Sequence, residues 1–303
     1  MNKYERLSAI CQEYNQSISF NEPMSRHTSF LIGGPADAFI EVENKLKLRE
    51  ILNAVKPLAL PVTILGNGSN LLVSDKGIEG IVIKLSADSQ IYLKNETEIF
   101  AGAGASLLSL CKFARKNALS GLEFAFGIPG TVGGAVYMNA GAYGGEMKDV
   151  IVSTEHLNKL CEFETFGKEK LLPGYRTSVY KNSDLIITEA SIRLEKSDAD
   201  DIGRKMDELM ARRCEKQPLN LPSAGSVFKR PKGMFAGAMI EHCGLKGYCV
   251  GGAEVSEKHA GFIVNKGDAT CQDVLNLIDE INDRIYAKYS MKLETEISFI
   301  GRI

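Results

Sequence analysis

The sequence lacks any uninterrupted apolar run long enough to cross a bilayer, and its first residues, MNKYERLSAICQEYNQ, lack the basic-then-apolar order of a secretory signal. Both absences point to a protein that stays in the cytoplasm. A surplus of charge is missing too: 36 Lys and Arg stand against 38 Asp and Glu, a net charge of -2. That balance excludes the broad basic field on which non-specific nucleic-acid binding draws. The seven cysteines, at 11, 111, 161, 214, 243, 249 and 271, are odd in number and contain no close CxxC pair. They read as reduced thiols rather than a disulfide framework. His27, His156, His242 and His259 are dispersed, so no metal site is expected, even where His242 adjoins Cys243. The P-loop pattern GxxxxGK[ST] does not occur, and GAG at 102–104 lacks the third glycine of GxGxxG because Leu107 stands there. The simplest NTPase explanation is thereby removed, and GAG reads as a strand-to-helix turn.

What is present is an ordinary globular composition. With 303 residues, 44% of them hydrophobic, and no low-complexity tract, the chain is long enough for two or three compact units. Leu7, Ile10, Cys11 and Tyr14 follow helical spacing, as do Leu48, Ile51, Leu52 and Val55 behind a capping Asn44. Pro57 and Pro61 fence that second helix from a strand at 62–65, giving a β-α-β rhythm. Further strands are expected at 81–85, 91–94 and 97–101, a helix over 106–117, and loop and turn throughout the glycine-dense stretch 121–145. A strand at 186–194 precedes EKSDADD, a strong helix-start signal. Helices through Ile202–Met210 and Val274–Ile285 follow, with strands near 262–265 and 296–300. The fold class read from this is α+β, with a first region at 1–196, divided near 86/87, and a C-terminal unit at 197–303.

Two glycine-rich elements stand out, GNGSN at 66–70 and GIPGTVGGAVYMNAGAYGG at 127–145. Glycine lets backbone N–H groups approach an anion and permits the positive φ of a concave nest. Asn67, Ser69, Asn70 and Thr131 add neutral hydrogen-bonding groups suited to a phosphate or ribose. One such loop alone is as readily a tight turn; two together favour a cradle for a pyrophosphate. Three clusters carry candidate proton donors and cations: GYRTSVYK at 174–181, PSAGSVFKRP at 222–231 and LETEISFIG at 293–301. Arg176, between Tyr175 and Tyr180, suits a carboxylate partner or equally a packing role over aromatic surface. Ser226 follows Ala and Gly, which leave its hydroxyl accessible, though serine after glycine is usually a turn residue. Glu296 alternates with Ile297 and Phe299 in a terminal strand and on that ground alone reads as outward-facing.

Taken together, RHTSFLIGGPAD, LGNGSNLLVSD, FGIPGTVGGAVYMNAGAYGGE, YRTSVYK, PSAGSVFKRP and LETEISFIG resemble, in order and over nearly the whole chain, the UDP-N-acetylenolpyruvoylglucosamine reductase (MurB) family. The resemblance implies an FAD-binding portion of the vanillyl-alcohol-oxidase (PCMH) type, followed by a MurB-type C-terminal substrate domain whose terminal strand packs back near the flavin. It implies FAD contacts at Asn67, Gly68, Ser69, Asn70, Leu71, Gly127, Ile128, Pro129, Gly130, Thr131, Gly133, Gly134 and Asn139. It places Arg176, Ser226 and Glu296 on the family's catalytic positions. The implied reaction is NADPH-dependent reduction of UDP-N-acetylglucosamine enolpyruvate to UDP-N-acetylmuramate in peptidoglycan precursor synthesis, with hydride from flavin N5, a proton from Ser226, and the enolate stabilised by Arg176 and Glu296. NADPH is expected to act first and leave before the sugar binds.

Tyr175, Lys216, Lys229 and Arg230 are the candidate substrate contacts; the three cations face a diphosphate or are solvated surface charges. The sequence departs from the family pattern at Arg230, where many relatives carry asparagine, and no insertion resembling a tyrosine-bearing flap lies between Leu194 and Pro222. The chain is thus similar to the shorter subtype, with Tyr143, Lys216 and Arg213 as candidates for closing over the diphosphate. Two other classes compete: a flavin oxidase of the same broad fold, which SAGS, YRTS and ETE oppose, and a non-enzymatic nucleotide-binding module, which would need no coordinated Ser, Arg and Glu.

Overall fold

Helix starts in this chain are written by side chains that accept the orphan amides of a first turn. A computed structural model describes residues 1–86 and 90–303. Asn2 accepts from the Glu5 amide and opens α1 (Lys3–Glu13). Asn44 accepts from the Leu46 and Lys47 amides, both at 3.0 Å, and opens α2 (Lys45–Val55). The apolar face expected of α2, Leu48, Ile51, Leu52 and Val55, is buried. It packs with Leu7, Cys11, Ala38, Ile40, Ile81 and Ile83 in one core. Val62–Leu65 runs parallel to Ile78–Leu85, Val62 opposite Ile81, and Ile78–Leu85 separates it in the sheet from Pro35–Val42, the strand on the other side of α2.

The chain divides into two compact units that interleave along the sequence. The first takes residues 1–19, 38–66 and 81–212, the second 20–37, 67–80 and 213–303. A single cut near 196/197 follows chain order; the units follow contacts, which return the segments around 20–37 and 67–80 to the C-terminal hundred residues. The subdivision expected at 86/87 borders residues 87–89, which lie outside the described residues.

In the first unit a five-stranded antiparallel sheet has the order Phe163–Gly167, Ile151–Leu157, Ile186–Arg193, Glu98–Gly102, Ile91–Leu93. GAG at 102–104 forms the turn from strand to α3 (Leu107–Lys116), which Ser106 caps by accepting from the Ser109 amide. The stretch 121–145, expected as loop and turn, instead contains α4 (Val132–Tyr137). Thr131 caps it by accepting from the Gly134 amide at 3.2 Å, and burial of Val132, Ala135 and Val136 outweighs the poor helix propensity of two glycines. The strand at 151–157 went unread because register shifts between Ile151/Ser153 and Glu155/His156, in its pairing with Ile186–Arg193, break the period-two pattern; its regularly paired neighbour at 163–167 went unread as well. Short α5 (Met147–Val150) and long α6 (Ala199–Lys216) follow, the latter starting inside the Asp-rich signal, with Asp200 and Asp201 in its first turn.

The second unit holds α7 (Ala236–His242) and α8 (Cys271–Tyr289) with a small antiparallel sheet of Cys249–Val250, Ala253–Val255 and Ile263–Asn265. Thr270 and Asp273 form a capping box on α8, and Asp75 accepts from the Cys271 and Gln272 amides at 2.8 and 3.0 Å. Val274, Leu277, Ile278, Ile281 and Ile285, the face read from spacing, line the core with Phe30, Leu72 and Val227. Ser298–Ile300 pairs parallel with Leu71–Val73. Among the described residues no helix is long and apolar enough to cross a membrane.

Candidate active site

The first glycine loop is built by close approach of backbone to backbone. Gly68, at φ +60°, lies against His27 and Thr28, and a Cβ there would fall 2.9 Å from the Thr28 Cα. Only glycine meets both demands. Among the described residues no hydrogen bond engages the amides of Asn67, Gly68, Ser69 or Asn70, whereas the Gly68 and Asn70 carbonyls accept from Ser29 and Ser298. Four successive unpaired N–H groups beside a buried glycine are the donor set a pyrophosphate needs. The Asn70 side chain donates to the Glu296 carbonyl at 3.2 Å, so the loop is tied to the C-terminal strand of its own unit. Leu71 opens the strand that pairs with Ser298.

The second loop lies in the first unit. Gly127 has φ +90°, and the Ile128 amide closes a turn on the Ala125 carbonyl. Pro129 donates nothing, and among the described residues the Gly127, Gly130 and Thr131 amides have no partner. Thr131 is buried, and a Cβ on Gly66 would stand 2.7 Å from its Oγ1. Gly133 packs on Ala103 and Gly134 is exposed. These residues fit the flat edge and phosphates of FAD by leaving backbone surface and amides uncovered. Asn139 differs: it is 2% exposed, and its Nδ2 donates to Glu146 Oε2 and the Gly174 carbonyl, both at 2.9 Å.

Arg176 lies in a bend of the first unit where the Gly174 amide donates to the Thr177 carbonyl at 3.0 Å. Its φ is +54°, a left-handed conformation that costs a non-glycine residue about 1–3 kcal/mol and persists only when its surroundings impose it. The guanidinium donates to the Gly141 carbonyl at 3.2 Å and sits 5.5 Å from the Tyr175 ring centroid. Sequence reasoning missed the support behind this bend. Ser178 donates to the Tyr137 carbonyl at 2.8 Å, and buried Tyr180 places its hydroxyl 3.1 Å from His156 Nδ1. The available signal was the hydroxyl-rich SVY directly after RT.

Ser226 and Glu296, 70 positions apart, are brought together in the second unit. The Ser226 strand pairs with Phe262, Phe228 pairs with Thr295, and the Glu296 amide donates to the Val227 carbonyl at 2.7 Å. Gly225 turns the chain at φ +81°, and the Ser226 hydroxyl donates to the Phe228 carbonyl at a long 3.2 Å. Both residues are half-buried, which leaves a hydroxyl and a carboxyl on neighbouring backbones with access to a ligand.

The expected substrate contacts are more varied. Tyr175 is half-exposed, Lys216 ends α6, and Lys229 pairs with Glu294 at 2.9 Å. The Arg230 guanidinium stacks 4.0 Å from the Phe235 centroid. Of the segment 214–221 sequence reasoning singled out only Lys216, whereas Cys214 and residues 217–221, with Ser256, Lys258 and Lys266, line an open cavity of about 670 Å³ in the second unit. Among the described residues no cluster of three metal-ligating side chains occurs.

Comparison with known proteins places these elements in one lineage. Residues 36–163 match a model described as FAD binding domain, and residues 217–300 match UDP-N-acetylenolpyruvoylglucosamine reductase, C-terminal domain. The chain is 47% identical over 297 residues to the UDP-N-acetylenolpyruvoylglucosamine reductase of Caldanaerobacter subterraneus subsp. tengcongensis, covering 98% of this chain and 97% of that protein. It is 48% identical over 303 residues to the enzyme of that name from Alkaliphilus oremlandii, covering 99% of each. The crystal structure of UDP-N-acetylenolpyruvylglucosamine reductase (MurB) from Thermus caldophilus superposes with a TM-score of 0.79 at 35% identity, covering 94% of this chain and 98% of that one. The α+β architecture, with an FAD-binding portion ahead of a C-terminal substrate portion, is therefore that of its relatives, and the chain belongs to the UDP-N-acetylenolpyruvoylglucosamine reductase family.

Proposed function

We propose that this chain reduces the enolpyruvyl double bond of UDP-N-acetylglucosamine enolpyruvate with NADPH, yielding UDP-N-acetylmuramate for peptidoglycan synthesis. FAD, when bound, supplies the two-electron chemistry by taking hydride from NADPH and passing it to the terminal carbon of the enol ether. Residues 66–71 and 127–134 would hold it through their unpaired amides and the surface their glycines leave open. The nicotinamide donor and nucleotide-sugar acceptor assign the reaction to the cytoplasm.

Hydride addition leaves an electron pair on the adjacent carbon, delocalised into the carboxylate. Arg176 pairs with that carboxylate, and Glu296 is the second group placed where charge accumulates. Ser226 then gives its hydroxyl proton to the adjacent carbon and regains one from solvent. Serine is a weak acid, so its competence comes from the basicity of the enolate and from placement. Tyr175, Lys216, Lys229 and Arg230 carry aromatic surface and positive charge for the nucleotide diphosphate.

The observation that carries this reading is the joining of Ser226 and Glu296 through the Glu296–Val227 backbone bond and the Phe228–Thr295 bridge. The test is rapid mixing of flavin-loaded Ser226→Ala. Reduction by NADPH should stay near wild type, while reoxidation by the enolpyruvyl sugar should slow by about 10²–10⁴-fold, the range a general acid contributes. Unchanged reoxidation would remove Ser226 from the proposed role.

A further inference from the structure

Arg176 is the third residue of a turn that reciprocal backbone bonds between Gly174 and Thr177 close, and that turn puts it at φ +54°, so the arginine is aimed by whatever holds the turn. The segment 137–148 does so at three points. Asn139 Nδ2 donates to the Gly174 carbonyl, two residues before Arg176, at 2.9 Å. Ser178 Oγ, two residues after, donates to the Tyr137 carbonyl at 2.8 Å. The guanidinium itself donates to the Gly141 carbonyl at 3.2 Å. The arginine is thus bracketed on both sides and at its tip by one stretch of chain.

Asn139 is the fixed end of that bracket. Its Oδ1 accepts from the Lys148 amide at 2.9 Å, while its second Nδ2 hydrogen goes to Glu146 Oε2 at 2.9 Å. These partners define the amide's orientation, since a flip would set its NH2 against the Lys148 N–H. Both donors are committed within the protein, which argues against the side chain spending them on a cofactor. Aspartate would face the Gly174 carbonyl and the Glu146 carboxylate with oxygens, and alanine would leave the Gly174 carbonyl with only the long 3.4 Å bond from the Thr177 amide. Only an amide of this length serves all three groups.

We propose that Asn139 is a positioning residue for Arg176, holding the 174–178 bend so that the guanidinium meets the substrate carboxylate. This rests on the reading of Arg176 as the group that stabilises the enolate. Its contribution is geometric, and displacement of a catalytic group by about 1 Å costs about 10²-fold in rate.

The experiment compares flavin-loaded wild type, Asn139→Ala, Arg176→Ala and the double variant by rapid mixing. Asn139→Ala should retain flavin and be reduced by NADPH normally, yet be reoxidised by the enolpyruvyl sugar about 10- to 100-fold more slowly. The double variant should be no slower than Arg176→Ala, because a bracket has nothing to hold once the arginine is gone. Hydrogen exchange across 174–181 in ligand-free Asn139→Ala should be faster than in wild type. Normal reoxidation of Asn139→Ala, loss of flavin or of NADPH reduction instead, or losses that multiply in the double variant would each overturn the proposal. Normal reoxidation of Arg176→Ala alone would overturn the role of the arginine and the bracket with it. Should Asn139→Ala not fold, Ser178→Ala releases the other side of the bend and is held to the same outcomes.

Discussion

Adjacent glycines at 133 and 134 should respond in opposite directions to the same substitution. A Cβ on Gly133 would lie 2.8 Å from the Ala103 Cβ and 3.1 Å from the Ala103 carbonyl oxygen. Carbon pairs rest at about 3.5–4.0 Å, so the deficit is close to 1 Å. Ala103 is 3% exposed and has no torsion by which its methyl can retreat, so the backbone itself must move. Overpacking of this kind costs about 1–3 kcal/mol, against a gain of about 0.5–1 kcal/mol for replacing glycine in a helix. The net for Gly133→Ala is a loss of up to about 2.5 kcal/mol. At Gly134 the nearest atom to a Cβ is Thr131 Oγ1 at 3.3 Å and the position is exposed, so Gly134→Ala should be neutral or stabilising by up to about 1 kcal/mol. Thermal unfolding of the apo-proteins measures the difference free of any effect on flavin affinity. Equal midpoints for the two variants would refute the steric argument at Ala103.

Two further outcomes follow from titratable groups. Burial pushes the His156 imidazole below its ordinary value, opposed by the Glu164 carboxylate; the unfolded chain therefore binds the proton more readily, and stability present above about pH 6.5 should be lost as pH falls through the folded value. His259 is shifted the same way, chiefly by burial, so melts should decline below pH 6.5 and a titration of the His156 ring resonance should have its midpoint below that value; a midpoint at or above it refutes the reading. Burial also raises the Cys11 thiol to about 11 and the Cys111 and Cys271 thiols to about 12. Iodoacetamide on the native protein should therefore label exposed Cys214 first and spare those three, with exposed Cys249 slower because burial and a hydrogen bond to Glu254 raise its thiol; early labelling of Cys111 by peptide mass mapping would contradict this.

The elements legible from sequence were those whose signal is local. The α2 and α8 faces follow from apolar spacing, and Asn44 announces its helix by capping chemistry. What stayed hidden depends on contacts. The Ile151–Leu157 strand is broken by two register shifts, and α4 is stabilised by burial of Val132, Ala135 and Val136 despite Gly133 and Gly134. The interleaved units were illegible for the same reason, since the segments 20–37 and 67–80 carry no compositional mark of their distant partners. At the site, Arg176, Ser226 and Glu296 each had a bland reading at least as good as the functional one when taken alone, and the family resemblance supplied the choice. Nothing in GAVYMNAGAYGG reveals that the Asn139 amide reaches Gly174, because that bond spans 35 residues of chain.

Pairing of Leu71–Val73 with Ser298–Ile300, and the bond from Asn70 to Glu296 across 226 residues, also governs the order of events during synthesis. The loop with four unpaired amides emerges from the ribosome early but has no neighbouring strand until residues 298–300 have been made. At about 5–20 residues per second, that interval is roughly 11 to 45 seconds. The nascent chain must meanwhile carry Leu72, destined for full burial, without its final cover. Completion of the pairing beside this loop therefore waits on residues 298–300, made long after the loop itself.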